Sequence, residues 1–263
     1  MKTQTSIFPC WLLAIILVFA GCGPAPSTDE SVFRMSIKNE PPTLDWTLAT
    51  DSVSFTILTN IMEGLTQYDS ELNAKPAIAK SWEYSEDGLT ITFFLRNDVT
   101  WSDGKPVTAA DFEYSWKRLL APGTAAQYAY FLFDIENASQ YNSGEITDPD
   151  KVGVRALAPD VLEVRLKKPV PYFPSITTFM VTFPAREDVI SKHGDSWTEP
   201  ANIVTNGPYT LEEWQHEYKI VLKANLRHYE GKPAVDAIRI FVVQEPTTAL
   251  TLYETGELDY LEL

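Results

Sequence analysis

Residues 79–120 read AKSWEYSEDGLTITFFLRNDVTWSDGKPVTAADFEYSWKRLL, and their punctuation decides the fold. Two β-rich runs flank Ser85-Glu86-Asp87-Gly88, where Asp-Gly accommodates the positive φ of a tight turn, so the stretch from Ser81 predicts a hairpin. A second turn, WSDGKPV, passes the chain into TAADFEYSWKRLL. There Thr108 stands three residues before Asp111, the spacing of a capping box, and Phe112, Trp116, Leu119 and Leu120 recur on one face of the helix that follows.

Toward the C-terminus the same logic gives more strands. Val152–Ala156 and Val161–Leu166 flank Ala-Pro-Asp as a second hairpin, KKPVPYFPS is too proline-rich for regular structure, and YTLEEWQHEYKIVLKA is a third hairpin. Val235–Val243 then predicts a strand, Thr247–Glu254 a helix stopped at Gly256, and Asp259–Leu263 the start of another strand. Strand, helix, strand in that order implies a parallel crossover, which places the chain in the α/β class. Toward the N-terminus, Ser54–Leu65 sets Ile57, Leu58, Ile61, Met62 and Leu65 on one helical face closing near Gly64. Before it lie the loop TLDWTLATD and the alternating strand Val32–Lys38, ended by Glu40-Pro41-Pro42.

The chain starts with Lys2 and an apolar run, Trp11–Ala20, that is short against the roughly 20 residues a membrane span takes. Positive start, apolar run and small residues predict a cleaved secretory signal over residues 1–21. Phe19-Ala20-Gly21-Cys22 resembles a bacterial lipobox, although Phe19 stands where Leu is usual. On that reading Cys22 is lipidated and residues 22–30 are a flexible tether to a membrane. Beyond Cys22 the 263-residue chain has no cysteine, which excludes disulfides and thiolate metal sites there. A formal charge of -15 argues against nucleic acid, whose phosphates reward clustered Lys and Arg. An apolar fraction of 44% is enough to pack a core without staples.

Reactive motifs are not evident. His193, His216 and His228 are scattered on polar segments and each reads as a surface residue; no HExxH, glycine-rich phosphate loop or GxSxG elbow is written in the sequence. Aromatic residues are the better lead. Tyr128, Tyr130, Phe131 and Phe133 crowd one segment, and Tyr172, Phe173, Phe179 and Phe183 another; each group either lines a ligand cleft or packs in the core.

Several blocks in order, EPPTLDWTLATD, EGLTQYD, the 79–130 stretch, GDSWTEPANIVTNGPYTLEEW and PTTALTLYETGELDY, resemble the family 5 extracytoplasmic solute-binding proteins, the oligopeptide- and dipeptide-binding components of ABC importers. The resemblance implies a periplasmic-binding-protein type II-like, two-lobed α/β fold. Here it would comprise the first lobe, residues 31–62 and 187–263, interrupted by an accessory subdomain at 63–186, with the second lobe missing. It implies a non-enzymatic, monomeric, membrane-anchored receptor in the periplasm or at the cell surface that captures oligopeptides for a permease and its ATPase. No cofactor or metal is implied. Matching the family's ligand contacts position by position gives Thr50, Asp51 and Ser52 beside the peptide backbone, Tyr128 against the peptide, Phe179 near a side-chain pocket, and Asn206 and Gly207 on the segment re-entering the first lobe. Thr50 departs from the acidic residue of some members. A nickel chelate or an oligosaccharide as solute, and a non-functional truncated fragment, remain as alternatives.

Overall fold

The turns and hydrophobic stripes resolve into alternating strands and helices in a computed structural model that describes Met1 and residues 30–261. The expected signal, Cys22 and the tether lie outside the described residues, as do residues 262 and 263. In chain order the strands are β1 (Val32–Ile37), β2 (Thr66–Tyr68), β3 (Ala74–Pro76), β4 (Ala79–Tyr84), β5 (Thr90–Leu95), β6 (Val154–Ala158), β7 (Val161–Arg165), β8 (Tyr209–Gln215), β9 (Lys219–Ala224) and β10 (Ala237–Val242). The helices are α1 (Ser52–Ile61), α2 (Ala109–Leu120), α3 (Ala138–Asn142), α4 (Phe173–Ile176), α5 (Glu187–His193) and α6 (Pro246–Glu254).

One mixed sheet has the order β1-β10-β9-β8, with β1 parallel to β10 and the other pairs antiparallel. From β10 the chain passes through α6 and returns to bridge Tyr260 to Met35 in parallel. The crossover therefore steps over β1, leaving it flanked by β10 and by Tyr260. Arg34 locks the return: its backbone N–H and guanidinium both donate to the Asp259 carboxylate, at 2.8 to 3.0 Å. The expected final strand is, within the described residues, this single bridge. A second sheet, β4-β5-β7-β6, is antiparallel throughout, and β2 and β3 form a small ribbon.

The 79–120 stretch forms as its sequence dictates. Gly88 has φ +69° and its N–H donates to the Ser85 carbonyl at 2.9 Å; Gly104, in the second turn, has φ +87°. The Asp111 carboxylate accepts from the Thr108 backbone N–H at 2.7 Å, holding the first turn of α2. Phe112, Trp116, Leu119 and Leu120 are fully buried, and the Trp116 indole N–H donates to the Thr182 carbonyl at 2.7 Å. From Ser31 onward the chain packs as one compact unit.

Two expected elements differ. The helix read as Ser54–Leu65 spans Ser52–Ile61, because Asn206 and Gly207 take the backbone groups that would extend it: the Gly207 N–H donates to the Ile61 carbonyl at 2.9 Å, and Asn206 Oδ1 accepts the Glu63 N–H at 3.0 Å. Met62 and Leu65 are still buried, but from the non-helical chain that follows α1 rather than from a helical face. The proline-rich segment read as irregular contains the short helix α4, with Pro174 in the first turn, where the missing N–H has no intrahelical partner to lose.

Candidate functional site

The loop before α1 is anchored from below. Asp45 and Arg118 of α2 form a two-pronged ion pair at 2.6 and 2.9 Å, and Arg118 also donates to the Thr47 hydroxyl at 2.6 Å. Both charged groups are largely withdrawn from solvent, so the pair holds the loop in one place as it leads to Thr50. Asp51 then caps α1, its carboxylate accepting the Ser54 N–H at 2.8 Å and the Ser54 hydroxyl at 2.7 Å. Ser52, the first residue of α1, is exposed.

Tyr128 reaches this loop from the far side of the sequence. Its phenol donates to the Thr50 carbonyl at 3.4 Å, well beyond the 2.7 to 2.8 Å usual for an O–H···O bond. The hydroxyl is thus only loosely engaged and can turn to a better acceptor. Around it stand Phe179 and Phe131, each with its ring centre 5.7 Å away, and Tyr130 and Phe55 at 6.0 and 6.4 Å. None of these five rings is buried, in contrast to Phe173 and Phe183, which belong to the core. An open aromatic patch beside a loosely held phenol and a backbone carbonyl suits a ligand that offers apolar surface and hydrogen-bonding groups together.

The structure therefore brings Thr50, Asp51, Tyr128 and Phe179 into one place, with Ser52 adjoining. It puts Asn206 and Gly207 elsewhere, at the other end of the ten-residue α1, about 15 Å away by helical rise. There Asn206 is 1% exposed and its amide both accepts from and donates to the Glu63 backbone. A Cβ on Gly207 would stand 2.5 Å from the Ile61 carbonyl carbon.

Phe55 is the site residue that sequence reasoning missed. It lies off the Ile57, Leu58, Ile61 stripe, and a large aromatic in the first turn but outside the buried face was the available signal. Tyr130 and Phe131 were legible as part of an aromatic crowd, though not as neighbours of Phe179.

The histidines need one correction. His228 is buried, not on the surface, and its Nε2 lies 3.1 Å from Glu63 Oε1. Burial, helped by the Glu63 carboxylate, pushes the neighbouring Tyr229 phenol well above its ordinary range. This cluster fastens the end of α1, with Glu63 and Tyr229 partly exposed. His216 is exposed in the β8–β9 turn, its Nδ1 2.6 Å from Glu40 Oε1 and its Nε2 3.6 Å from Glu199. Among the described residues no group of three or more His, Cys, Asp or Glu is arranged to hold a metal ion, and no helix is long and apolar enough to cross a membrane.

A mixed sheet crossed by α6 and a second sheet packed on α2 make up the fold of the described residues. Residues 73–263 match the family described as bacterial extracellular solute-binding proteins, family 5 Middle, and the chain belongs to that family. It is 34% identical over 272 residues to the oligopeptide-binding protein OppA of Bacillus subtilis, covering 99% of this chain and 50% of that protein. It is also 34% identical to the probable deoxycholate-binding periplasmic protein YgiS of Escherichia coli, over 95% of this chain and 48% of the relative. A crystal structure of an oligopeptide ABC transporter substrate-binding domain from Bacillus anthracis superposes with a TM-score of 0.85 at 40% identity, covering 89% of this chain and 46% of the other. Listeria monocytogenes OppA bound to peptide gives 0.84 at 32% identity, covering 88% and 46%. The chain spans about half the length of the curated relatives it matches, so its fold is part of the two-lobed type II arrangement.

Proposed function

We propose that this chain is the first-lobe part of an extracytoplasmic receptor that captures oligopeptides and delivers them, without chemistry, to a membrane permease of an ABC importer. The observation that carries the reading is the patch of half-open rings around the loosely engaged Tyr128 phenol, beside the Thr50 carbonyl. A peptide supplies what that surface lacks: backbone acceptors for the phenol and side chains for the rings. The relatives whose names specify oligopeptides support it.

In this reading residues 31–62 and 187–263 form the first lobe and 63–186 the accessory subdomain. The distribution of strands supports that division, since the mixed sheet draws on residues 32–37 and 209–242 while the antiparallel sheet lies wholly within 79–165. Cys22 is the lipid anchor, residues 1–21 the cleaved signal, and the protein works as a monomer.

Isothermal titration of the full-length gene product with short peptides of mixed sequence tests the ligand class. Binding of the peptides, with none to deoxycholate, a nickel chelate or an oligosaccharide, is the expected result; tight binding to one of those three and to no peptide overturns it. Mass spectrometry of the membrane-extracted protein tests the anchor, through a diacylglyceryl group on an N-terminal Cys22. An unmodified Cys22 in an uncleaved chain removes that part of the reading alone.

A further inference from the structure

Three of the rings at the site run in series. Phe179 and Phe131 stack with centres 4.7 Å apart and planes 28° apart, and Phe131 and Tyr130 repeat the arrangement at 4.8 Å and 28°. Tyr128 stands edge-on to Phe131 and Tyr130, at 81° and 83°, and closes one flank. The series ends at Tyr130, which is 56% exposed. Its hydroxyl has no hydrogen-bond partner among the described residues, whereas that of the exposed Tyr172 donates to Asp134 at 3.0 Å. A large apolar group left in water at the open end of a stack is positioned to meet another flat group.

We infer that Tyr130 is a specificity-determining residue: as the open end of the Phe179–Phe131–Tyr130 stack, it selects ligands that carry an aromatic side chain next to the backbone segment held by Tyr128 and Thr50. This rests on the peptide-binding reading above and adds to it a side-chain class. An aliphatic side chain of similar area gains only the burial, while an aromatic one also gains the ring–ring interaction.

The test is isothermal titration of the full-length gene product with trialanine and with tripeptides in which Phe, Leu or Arg replaces one alanine at a time. At one position Phe should bind about threefold to tenfold more tightly than Leu. The Tyr130→Leu variant, which keeps bulk but loses the ring, should bring that ratio close to one, and Tyr130→Phe should preserve it. A Phe/Leu ratio of one in the unaltered protein, or one that survives in Tyr130→Leu, overturns the inference and leaves peptide binding standing. A preference for Arg without one for Phe overturns it in favour of a cation–π subsite. No binding of any tripeptide overturns the peptide reading itself, and this inference with it.

Discussion

At the scale of single residues, Tyr128 and Gly207 represent two kinds of constraint. The Tyr128 hydroxyl, 3.4 Å from its one acceptor among the described residues, contributes little to folding and is available to a ligand. Tyr128→Phe should therefore leave the urea midpoint almost unchanged while weakening peptide binding about fivefold, the loss of one ordinary hydrogen bond, as read by titration calorimetry. Gly207 is the reverse case. Its Cα is pressed against the backbone at Ile61 and Met62, so Gly207→Ala must push buried main chain aside. We expect a loss of about 2 kcal/mol in a urea unfolding experiment, typical of overpacking. In the sequence, Asn206 and Gly207 were legible only through the resemblance, as positions on the segment re-entering the first lobe. Their contact with the end of α1 was not legible, because local sequence does not say which distant backbone fills the space above a glycine.

Elements were legible where local chemistry and packing agree. The β4–β5 hairpin, its Asp-Gly turn and α2 follow from turn residues, a cap and a 3.6-residue stripe that all point the same way. The end of α1 was misread because Met62 and Leu65 continue its apolar pattern, and only the bonds from residues 206 and 207 stop the helix. The same distinction governs how elements are fastened together. The loop before α1 depends on Asp45 and Arg118, so Arg118→Ala, which strands a withdrawn carboxylate, should cost about 3 kcal/mol and raise amide hydrogen exchange over residues 43–51. The β8–β9 turn depends on His216. Burial opposes its protonation, but Glu40 and Glu199 outweigh that and raise its pKa above 6.5. A raised histidine pKa adds stability that is fully present below the unfolded value and disappears as pH rises through the folded one. Unfolding curves for the wild type and His216→Gln should accordingly differ most near pH 5 and converge in alkaline solution.

For the whole molecule, the α/β class was readable because the strand, helix, strand order survives in the sequence, whereas the candidate site was legible only through the family resemblance, since residues 50, 128 and 179 lie far apart in the chain and converge through the fold. A ligand that binds the folded form alone should also stabilise it globally. A peptide at a hundred times its Kd should raise the unfolding free energy by about 2.7 kcal/mol in urea titrations. The crossover of α6 over β1 has a further consequence, in the order of synthesis. Ser31, just before β1, donates its N–H to Asp236, 205 residues later, and every rung of the parallel ladder spans a similar interval. At roughly 5 to 20 residues per second the ribosome needs about 10 to 40 s to deliver the partner strand. Until then β1 has no partner strand to pair with. Nascent chains stopped before residue 237 should thus remain open to protease at β1, and chains extended past residue 260 should become resistant.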